Sequence, residues 1–227
     1  MCCWCFCAGE TCTDFADGWH GAHGPPAARL GQASWVQAFL AADHRGSRIT
    51  TGPASLSRLH RDAIDLYQFH QPDPGVPFED SLGAREQLRE QGDVRALGIS
   101  NVTVKQIEDA YSILGESLVA VQNRYSAAQR ENEEALKLCE RIGLVFLPFG
   151  PLGGRETTGS GHPAWQVFRT VAHERGVSWR RLAIAWLLHH SPAMLPIPGV
   201  SRPASARDSA GADDLQLDSE TLSRLHG

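Results

Sequence analysis

The chain has 227 residues, and this length fits one domain of the α/β class. Charged residues make up 21% and hydrophobic residues 42%, which is typical of a globular protein rather than a disordered or membrane-spanning one. The formal net charge is -5, so nothing in the composition would draw the chain to nucleic acid or to an anionic lipid surface.

The first 47 residues are atypical, because they are rich in Cys, Gly and Pro and show no strand pattern. Their one apolar patch covers residues 35–42. We see no basic region followed by an apolar segment, so we expect a cytoplasmic protein without a secretory leader. Five of the six cysteines crowd this segment: Cys2, Cys3, Cys5, Cys7 and Cys12. With His20 and His23 they could form a zinc site, which stays open as an alternative to an irregular leader.

From residue 48 to the C-terminus the chain alternates between predicted strands and predicted helices. The apolar runs predict five strands, at 64–70, 94–99, 119–123, 145–149 and 194–197. Between and after them the pattern predicts helices at 78–91, 131–141, 164–175 and 179–189, and a further helix that opens with a capping box at Thr103. Regular strand–helix alternation predicts parallel βα units. We therefore divide the chain into an atypical N-terminal segment, 1–47, and a part built of βα units, 48–227.

Two architectures fit parallel βα units, an open doubly wound sheet and a (β/α)₈ barrel. The first strands are not followed by the glycine pattern GxGxxG, which argues against a doubly wound dinucleotide site. Polar residues lie at the carboxyl ends of several predicted strands: His70, Ser100 with Asn101, and Gln122 with Asn123. A site built from many strand ends is typical of a barrel, so we expect the (β/α)₈ type.

Five motifs in order resemble the aldo-keto reductase family. They are DLYQFH at 65–70, GISN at 98–101, VQNRYS at 121–126, LPFGPLG at 147–153 and LPIPG at 195–199. The resemblance covers about three-quarters of the chain and implies an NADPH-dependent (β/α)₈ barrel that reduces the carbonyl group of aldehydes and ketones. It also implies that the five predicted strands are barrel strands four to eight, so the barrel is expected to be incomplete.

The resemblance assigns roles to particular residues. It implies that His70 orients a small-molecule carbonyl substrate and that the aromatic ring of Phe149 stacks on the nicotinamide. It implies cofactor contacts for a further set of residues: Ser100, Asn101 and Gln122 with the nicotinamide carboxamide, Gly150 and Leu152 in a loop over the pyrophosphate, and Gly199, Ser201 and Arg202 with the adenosine phosphate.

The residues that supply the proton in this family are missing from their expected positions. In the family an Asp, a Tyr and a Lys precede the His, and the Tyr donates the proton. Here no Tyr precedes Tyr67 and no Lys precedes Lys105. Asp14 stands at the family's Asp-to-Tyr spacing from Trp19, which marks Asp14 as a candidate catalytic remnant. Tyr67 lies three positions from His70 on one strand, so alternation predicts that it faces away from the site.

Two interpretations follow from this gap. The chain is an aldo-keto reductase that has lost its Tyr and Lys, or it is a catalytically inactive nucleotide-binding remnant or truncated gene product. Three βα units before the first predicted strand would need roughly 75 to 90 residues, and about 60 are available. A barrel without them would have open edges, so we expect self-association through these edges.

Overall fold

The structure is a computed structural model that describes residues 35–38, 56–57, 60–154 and 162–226. In this part of the chain five strands form one parallel sheet whose order follows the chain. The strands are β1 (Trp35–Ala38), β2 (Ile64–Phe69), β3 (Val94–Ser100), β4 (Leu118–Gln122) and β5 (Val145–Phe146). Their parallel pairing confirms the βα units that the sequence predicts.

Seven α-helices accompany the sheet in the described residues. They are α1 (Phe78–Glu90), α2 (Val104–Leu114), α3 (Glu133–Ile142), α4 (Pro163–Glu174), α5 (Trp179–His190), α6 (Pro203–Ala210) and α7 (Ser219–His226). Four of them, α1, α3, α4 and α5, begin and end within two residues of the predicted bounds, and α2 begins where the capping box predicts. Thr103 forms the predicted capping box at the start of α2, and the Ser178 hydroxyl caps α5 by accepting the backbone N–H of Arg181 at 3.0 Å.

The helices cover one face of the sheet, which decides between the two predicted architectures. The large apolar core joins every one of the first five helices to strand residues such as Ile64, Tyr67 and Phe146. In the described part of the chain, the opposite face carries a small cluster that includes Leu66 and Ala120 and contains no helix residue. A doubly wound sheet would have helices on both faces, so the fold is a partial (β/α) barrel with an inner face and an outer face.

The strand β1 corrects the expectation that no strand lies before residue 48. It falls within the apolar patch at 35–42 and pairs in parallel with β2, with Ala38 opposite Phe69. Four residues are too few to show an alternating pattern by themselves. Their strand conformation depends on the edge of β2, which local sequence does not reveal.

The last two predicted strands are shorter than the sequence suggests. The fourth, expected at 145–149, is a ladder of two residues, and the fifth, expected at 194–197, is a single parallel bridge between Met194 and Phe146. Three prolines account for this: Pro148, Pro196 and Pro198. Proline has no backbone N–H to donate, so a regular ladder cannot continue through these positions.

Candidate active site

Alternation along the strands brings polar side chains to the carboxyl ends of β2, β3 and β4 on the inner face. Leu66 belongs to the inner cluster, so Gln68 and His70 follow it on the same face. Ser100 at the end of β3 is paired in register with Gln122 at the end of β4. Both Ser100 and Gln122 are buried, so their polar groups are held within the partial barrel rather than in bulk water.

Asn101 joins the ends of the three strands. Its side-chain Nδ2 donates to the carbonyl oxygen of His70 at 2.8 Å and to Ser100 Oγ at 3.1 Å. Its backbone N–H donates to the carbonyl oxygen of Gln122 at 3.1 Å. The backbone φ of Asn101 is +57°, a left-handed conformation that Asn adopts more readily than most residues. The structure therefore brings four of the predicted site residues together: His70, Ser100, Asn101 and Gln122.

Asn123 fixes the backbone that follows Asn101, a role that the sequence analysis did not assign. Its Oδ1 accepts the backbone N–H of Val102 at 3.1 Å, and its Nδ2 donates to the Val102 carbonyl at 2.7 Å and to Asn132 Oδ1 at 3.0 Å. Asn123 is buried, and Val102 follows Asn101 directly. One side-chain amide thus fixes the backbone beside Asn101 against the end of β4.

Gln68 is a second inner-face residue that the sequence analysis did not single out. It lies on β2 opposite Gly98 of β3, and its Nε2 donates to Gln122 Oε1 at 3.4 Å. The alternation of the DLYQFH motif is the signal that could have found it, because Gln68 must share a face with His70. Its side chain is buried beside the predicted cofactor contacts.

His70 is half-buried, and burial lowers the pKa of its imidazole below the ordinary value of 6.5. The imidazole is therefore predominantly neutral at pH 7. A neutral ring carries one N–H donor and one acceptor nitrogen, so His70 can orient a carbonyl oxygen by donating a hydrogen bond to it. His70 therefore becomes an imidazolium that can donate a proton only at a lower pH than a histidine with the ordinary pKa.

The segment after β5 carries three of the predicted residues. Phe149 is half-buried, its N–H donates to the Asn123 carbonyl at 3.1 Å, and the Arg124 guanidinium lies 5.6 Å from its ring centroid. Gly150 follows with φ +62°, which a residue without Cβ adopts freely, and it opens a tight turn. Leu152 packs on the large apolar core. The hydrogen bond from Phe149 to Asn123 attaches Phe149 to the end of β4, which carries Gln122.

The predicted phosphate contacts lie in a different element. Gly199, Ser201 and Arg202 are all exposed and precede α6, whose N-cap is Arg202. The exposed guanidinium at a helix N-terminus is a chemically suitable anion contact. Asp14, the candidate catalytic remnant, lies outside the described residues, as do the cysteine cluster and its two histidines.

All three tyrosines and both lysines of the chain are described, and none lies on the inner face. Tyr67 is buried in the large core on the outer face, as alternation predicts, and Tyr111 is exposed on α2. Tyr125 is also buried in the large core. Lys105 and Lys137 lie on α2 and α3, where each pairs with a carboxylate of its own helix.

Tyr125 belongs to a cluster of polar groups on the outer side of the sheet. Its hydroxyl donates to the Glu133 carboxylate and lies 3.0 Å from His190 Nε2, which is itself 3.2 Å from Glu133 Oε1. Burial raises the pKa of Tyr125 well above its usual range, and the hydrogen-bonded carboxylate raises it further. This phenol therefore keeps its proton.

The described part of the chain contains neither a cluster of metal ligands nor a helix that could span a membrane. No group of three His, Cys, Asp or Glu side chains there could hold a metal ion. Among the same residues no helix is long and apolar enough to cross a membrane.

Comparison with known proteins gives concordant matches. A model of the aldo/keto reductase family matches residues 39–227. The chain is 34% identical over 171 residues to an uncharacterized oxidoreductase (C215.11c) of Schizosaccharomyces pombe, covering 75% of this chain and 54% of that protein. It is 34% identical over 208 residues to pyridoxine 4-dehydrogenase of Escherichia coli, covering 88% of this chain and 68% of that protein.

Solved structures agree on the fold. An aldo-keto reductase from Klebsiella pneumoniae in complex with NADPH has a TM-score of 0.74 at 25% identity, covering 83% of this chain and 66% of that one. The thermostable aldo-keto reductase Tm1743 has a TM-score of 0.71 at 29% identity, covering 77% and 63%. The chain spans about half the length of the Schizosaccharomyces pombe relative and about two-thirds of the length of these two structures.

Proposed function

The chain belongs to the aldo/keto reductase family, and from that premise we propose that it is an NADPH-binding protein that retains the nicotinamide half of a carbonyl reductase site. The observation that carries this proposal is the convergence of Ser100, Asn101 and Gln122 at the neighbouring ends of β3 and β4. The family resemblance assigns these residues to the nicotinamide carboxamide. The Klebsiella pneumoniae relative in complex with NADPH supports the choice of cofactor.

The chemistry of this donor set fits a carboxamide. A carboxamide presents one carbonyl acceptor and one NH₂ donor in a plane, so its recognition needs both donors and acceptors in fixed places. Ser100 supplies a hydroxyl. Asn101 supplies an amide that donates to the His70 carbonyl, and Gln122 supplies an amide that accepts from Gln68 Nε2. When bound, the nicotinamide supplies hydride to a carbonyl carbon.

The other cofactor contacts follow from their place in the fold. Phe149 would lie against the nicotinamide ring, because its backbone is bonded to the end of β4. Gly150 and Leu152 would border the pyrophosphate, and Gly199 and Ser201 would approach the adenosine phosphate through backbone and hydroxyl groups. Arg202 would grip that phosphate with its planar guanidinium, which suits bidentate contact with phosphate oxygens.

The chemistry lost from the site is proton donation to the alkoxide. Every Tyr and Lys of the chain lies away from the inner face, so among the described residues His70 is the titratable group that we place beside the substrate position. Its lowered pKa makes it a poor proton donor at neutral pH and a better one in acid. The role of Asp14 in the reaction stays a prediction that rests on its spacing from Trp19.

A second candidate function is nucleotide binding without turnover, in a remnant or truncated gene product. The placement of the tyrosines and lysines favours it. General acid catalysis contributes roughly 10²- to 10⁴-fold to such reactions. We therefore expect reductase activity on simple aldehydes at least about a hundredfold below that of an intact relative.

A titration of NADPH fluorescence tests the cofactor proposal. We expect saturable binding that is weakened by Gln122→Ala and by Arg202→Ala. For Arg202→Ala, loss of one charge-assisted hydrogen bond costs about 1.5–3 kcal/mol, or about ten- to a hundredfold in Kd. For Gln122→Ala, loss of one neutral hydrogen bond costs about 1 kcal/mol, or about fivefold. Arg202→Ala should weaken NADPH more than NADH, because only NADPH carries the 2′-phosphate. Absence of saturation at millimolar NADPH would contradict the proposal.

The pH dependence of turnover separates the two candidate functions. If His70 donates the proton, residual carbonyl reduction rises as the pH falls below 6.5 and disappears in His70→Ala. If the chain only binds nucleotide, no turnover appears at any pH while the NADPH titration still saturates. Strong activity at pH 7 that survives His70→Ala would show that another group protonates the alkoxide.

Three further properties belong to the same proposal. The substrate is a small molecule with a carbonyl group, the location is the cytoplasm, and the edges of the partial barrel mediate self-association. Sedimentation of the purified chain at several concentrations would test the last of these. A monomer at all concentrations would contradict it.

A further inference from the structure

The side chains of Gln68 and Gln122 form a buried pair on the inner face. Gln68 is 4% exposed and Gln122 is 7% exposed, and Gln68 Nε2 donates to Gln122 Oε1 at 3.4 Å. We propose that Gln68 is a positioning residue that fixes the orientation of the Gln122 amide, so that Gln122 presents its NH₂ group to the ligand. This inference rests on the proposed binding of a nicotinamide carboxamide by Gln122.

The absence of a side chain at Gly98 makes room for Gln68. The two residues are opposite each other in the β2–β3 pair. A Cβ on Gly98 would lie 1.4 Å from Gln68 Oε1 and 2.5 Å from Gln68 Cδ. Any side chain at this position would therefore push the Gln68 amide out of its place against β3.

The same contact fixes which end of the Gln68 amide faces Gln122. Oε1 lies 1.4 Å from the position that a Gly98 Cβ would take, so the oxygen end of the Gln68 amide packs directly on the Gly98 Cα. An NH₂ group in that place would press its hydrogens against the Cα hydrogen. Gln68 therefore keeps its oxygen on Gly98 and directs its NH₂ group to Gln122.

The orientation of Gln68 in turn determines that of Gln122. With the Gln68 NH₂ group as donor, Gln122 must turn its carbonyl oxygen toward Gln68, because two NH₂ groups would repel each other. The NH₂ group of Gln122 is then left for the ligand. No N–H or O–H group of the described residues donates to Gln68 Oε1, so no other hydrogen bond would turn the Gln68 amide the other way. A donor at Gln122 selects the carbonyl oxygen of a carboxamide rather than its nitrogen.

Two variants of Gln68 separate positioning from packing. Gln68→Met keeps the length of the side chain but removes both hydrogen-bonding groups, so the Gln122 amide loses its fixed orientation. Gln68→Glu places an acceptor-only carboxylate against Gln122. The NH₂ group of Gln122 then turns toward Glu, and its carbonyl oxygen is left for the ligand.

The experiment compares NADP⁺ with its 3-acetylpyridine analogue, whose acetyl group keeps the carbonyl oxygen and lacks the NH₂ group. Both Kd values are measured by quenching of tryptophan fluorescence in the full chain. In Gln68→Glu we expect the ratio of the analogue's Kd to that of NADP⁺ to rise at least about threefold, because a lost neutral hydrogen bond is worth about fivefold. In Gln68→Met we expect both Kd values to rise by about the same factor.

Gly98→Ala provides an independent variant that leaves both glutamines in the sequence. Its Cβ displaces the Gln68 amide, so it should weaken both ligands as Gln68→Met does. It also keeps the inference testable if Gln68→Met does not fold, which circular dichroism would show. An analogue ratio that is unchanged in Gln68→Glu, with wild-type binding intact, would overturn the inference. Absence of NADP⁺ and NADPH binding to the wild-type chain would instead refute the proposed function.

Discussion

Asn123 offers the most direct test of how the site is held together. Its amide makes three side-chain hydrogen bonds, two with the backbone of Val102 and one with Asn132. Asn123→Ala removes all three and leaves the N–H and C=O of a buried residue without their partner. A net value of about 1 kcal/mol for each bond gives an expected loss of about 3 kcal/mol. That is a large fraction of the roughly 5–15 kcal/mol that stabilises a typical domain.

Urea unfolding followed by circular dichroism measures this loss as a change in the free energy of unfolding. The matched control is Asn132→Ala, which removes one of the three bonds and the bond from Asn132 Nδ2 to the Arg124 carbonyl at 3.0 Å. We expect this control to lose about 1–2 kcal/mol, less than Asn123→Ala. A loss below about 0.5 kcal/mol in Asn123→Ala would refute the reasoning, because it would show that water replaces these bonds at little cost.

Asn123→Asp adds a test of the hydrogen-bond polarity. An ionised carboxylate can still accept the Val102 N–H, but it faces the Val102 carbonyl and Asn132 Oδ1 with an acceptor instead of a donor. At pH 7 this variant should be at least as unstable as Asn123→Ala. Protonation of the carboxyl group in acid should recover part of the loss, since it restores one donor. A variant as stable as the wild type at pH 7 would contradict the assigned bonds.

Three further predictions concern the scaffold. Burial alone would raise the pKa of Glu133, but the bonds from Tyr125 and His190 outweigh it and lower the pKa below its ordinary value of 4.5. Glu133→Gln should therefore lose stability at pH 7, and its deficit should shrink as the pH falls through that lowered pKa and the wild-type carboxylate takes up its proton. Gly143→Ala should cost about 1–2 kcal/mol in urea unfolding, because φ is +76° there and a Cβ would gain no contact. Thr103→Ala should cost about 1 kcal/mol through loss of the α2 cap, while Thr103→Ser should retain most of it.

The sequence predicts the regular part of the fold well, because the strands β2, β3 and β4 are apolar runs bounded by turns or caps. Gly92 and Gly143, for example, both have positive φ just after α1 and α3, at the position where glycine commonly ends a helix. The strand β1 could not be predicted in this way. Its four residues have no pattern of their own, and their pairing with β2 is a long-range contact.

The candidate site is predictable in its residues but not in its bonds. Motif and alternation place His70, Ser100, Asn101 and Gln122 at strand ends, and the structure brings them together. Which side chains hold the others depends on distances that a sequence does not contain. Asn123 therefore escaped assignment as a backbone anchor although it directly follows Gln122.

The order of the strands has a consequence for how the sheet forms. Each strand pairs with the strand that precedes it in the chain, and paired residues such as Ile64 and Val94 lie only 30 positions apart. The sheet can therefore grow one unit at a time, as repeat proteins do, with each new strand added to a completed edge. Among the described strands, growth of this kind leaves β3 in the middle with a neighbour on either side and β1 at one end. Its amide protons should exchange with solvent more slowly than those of β1 at the end of the order.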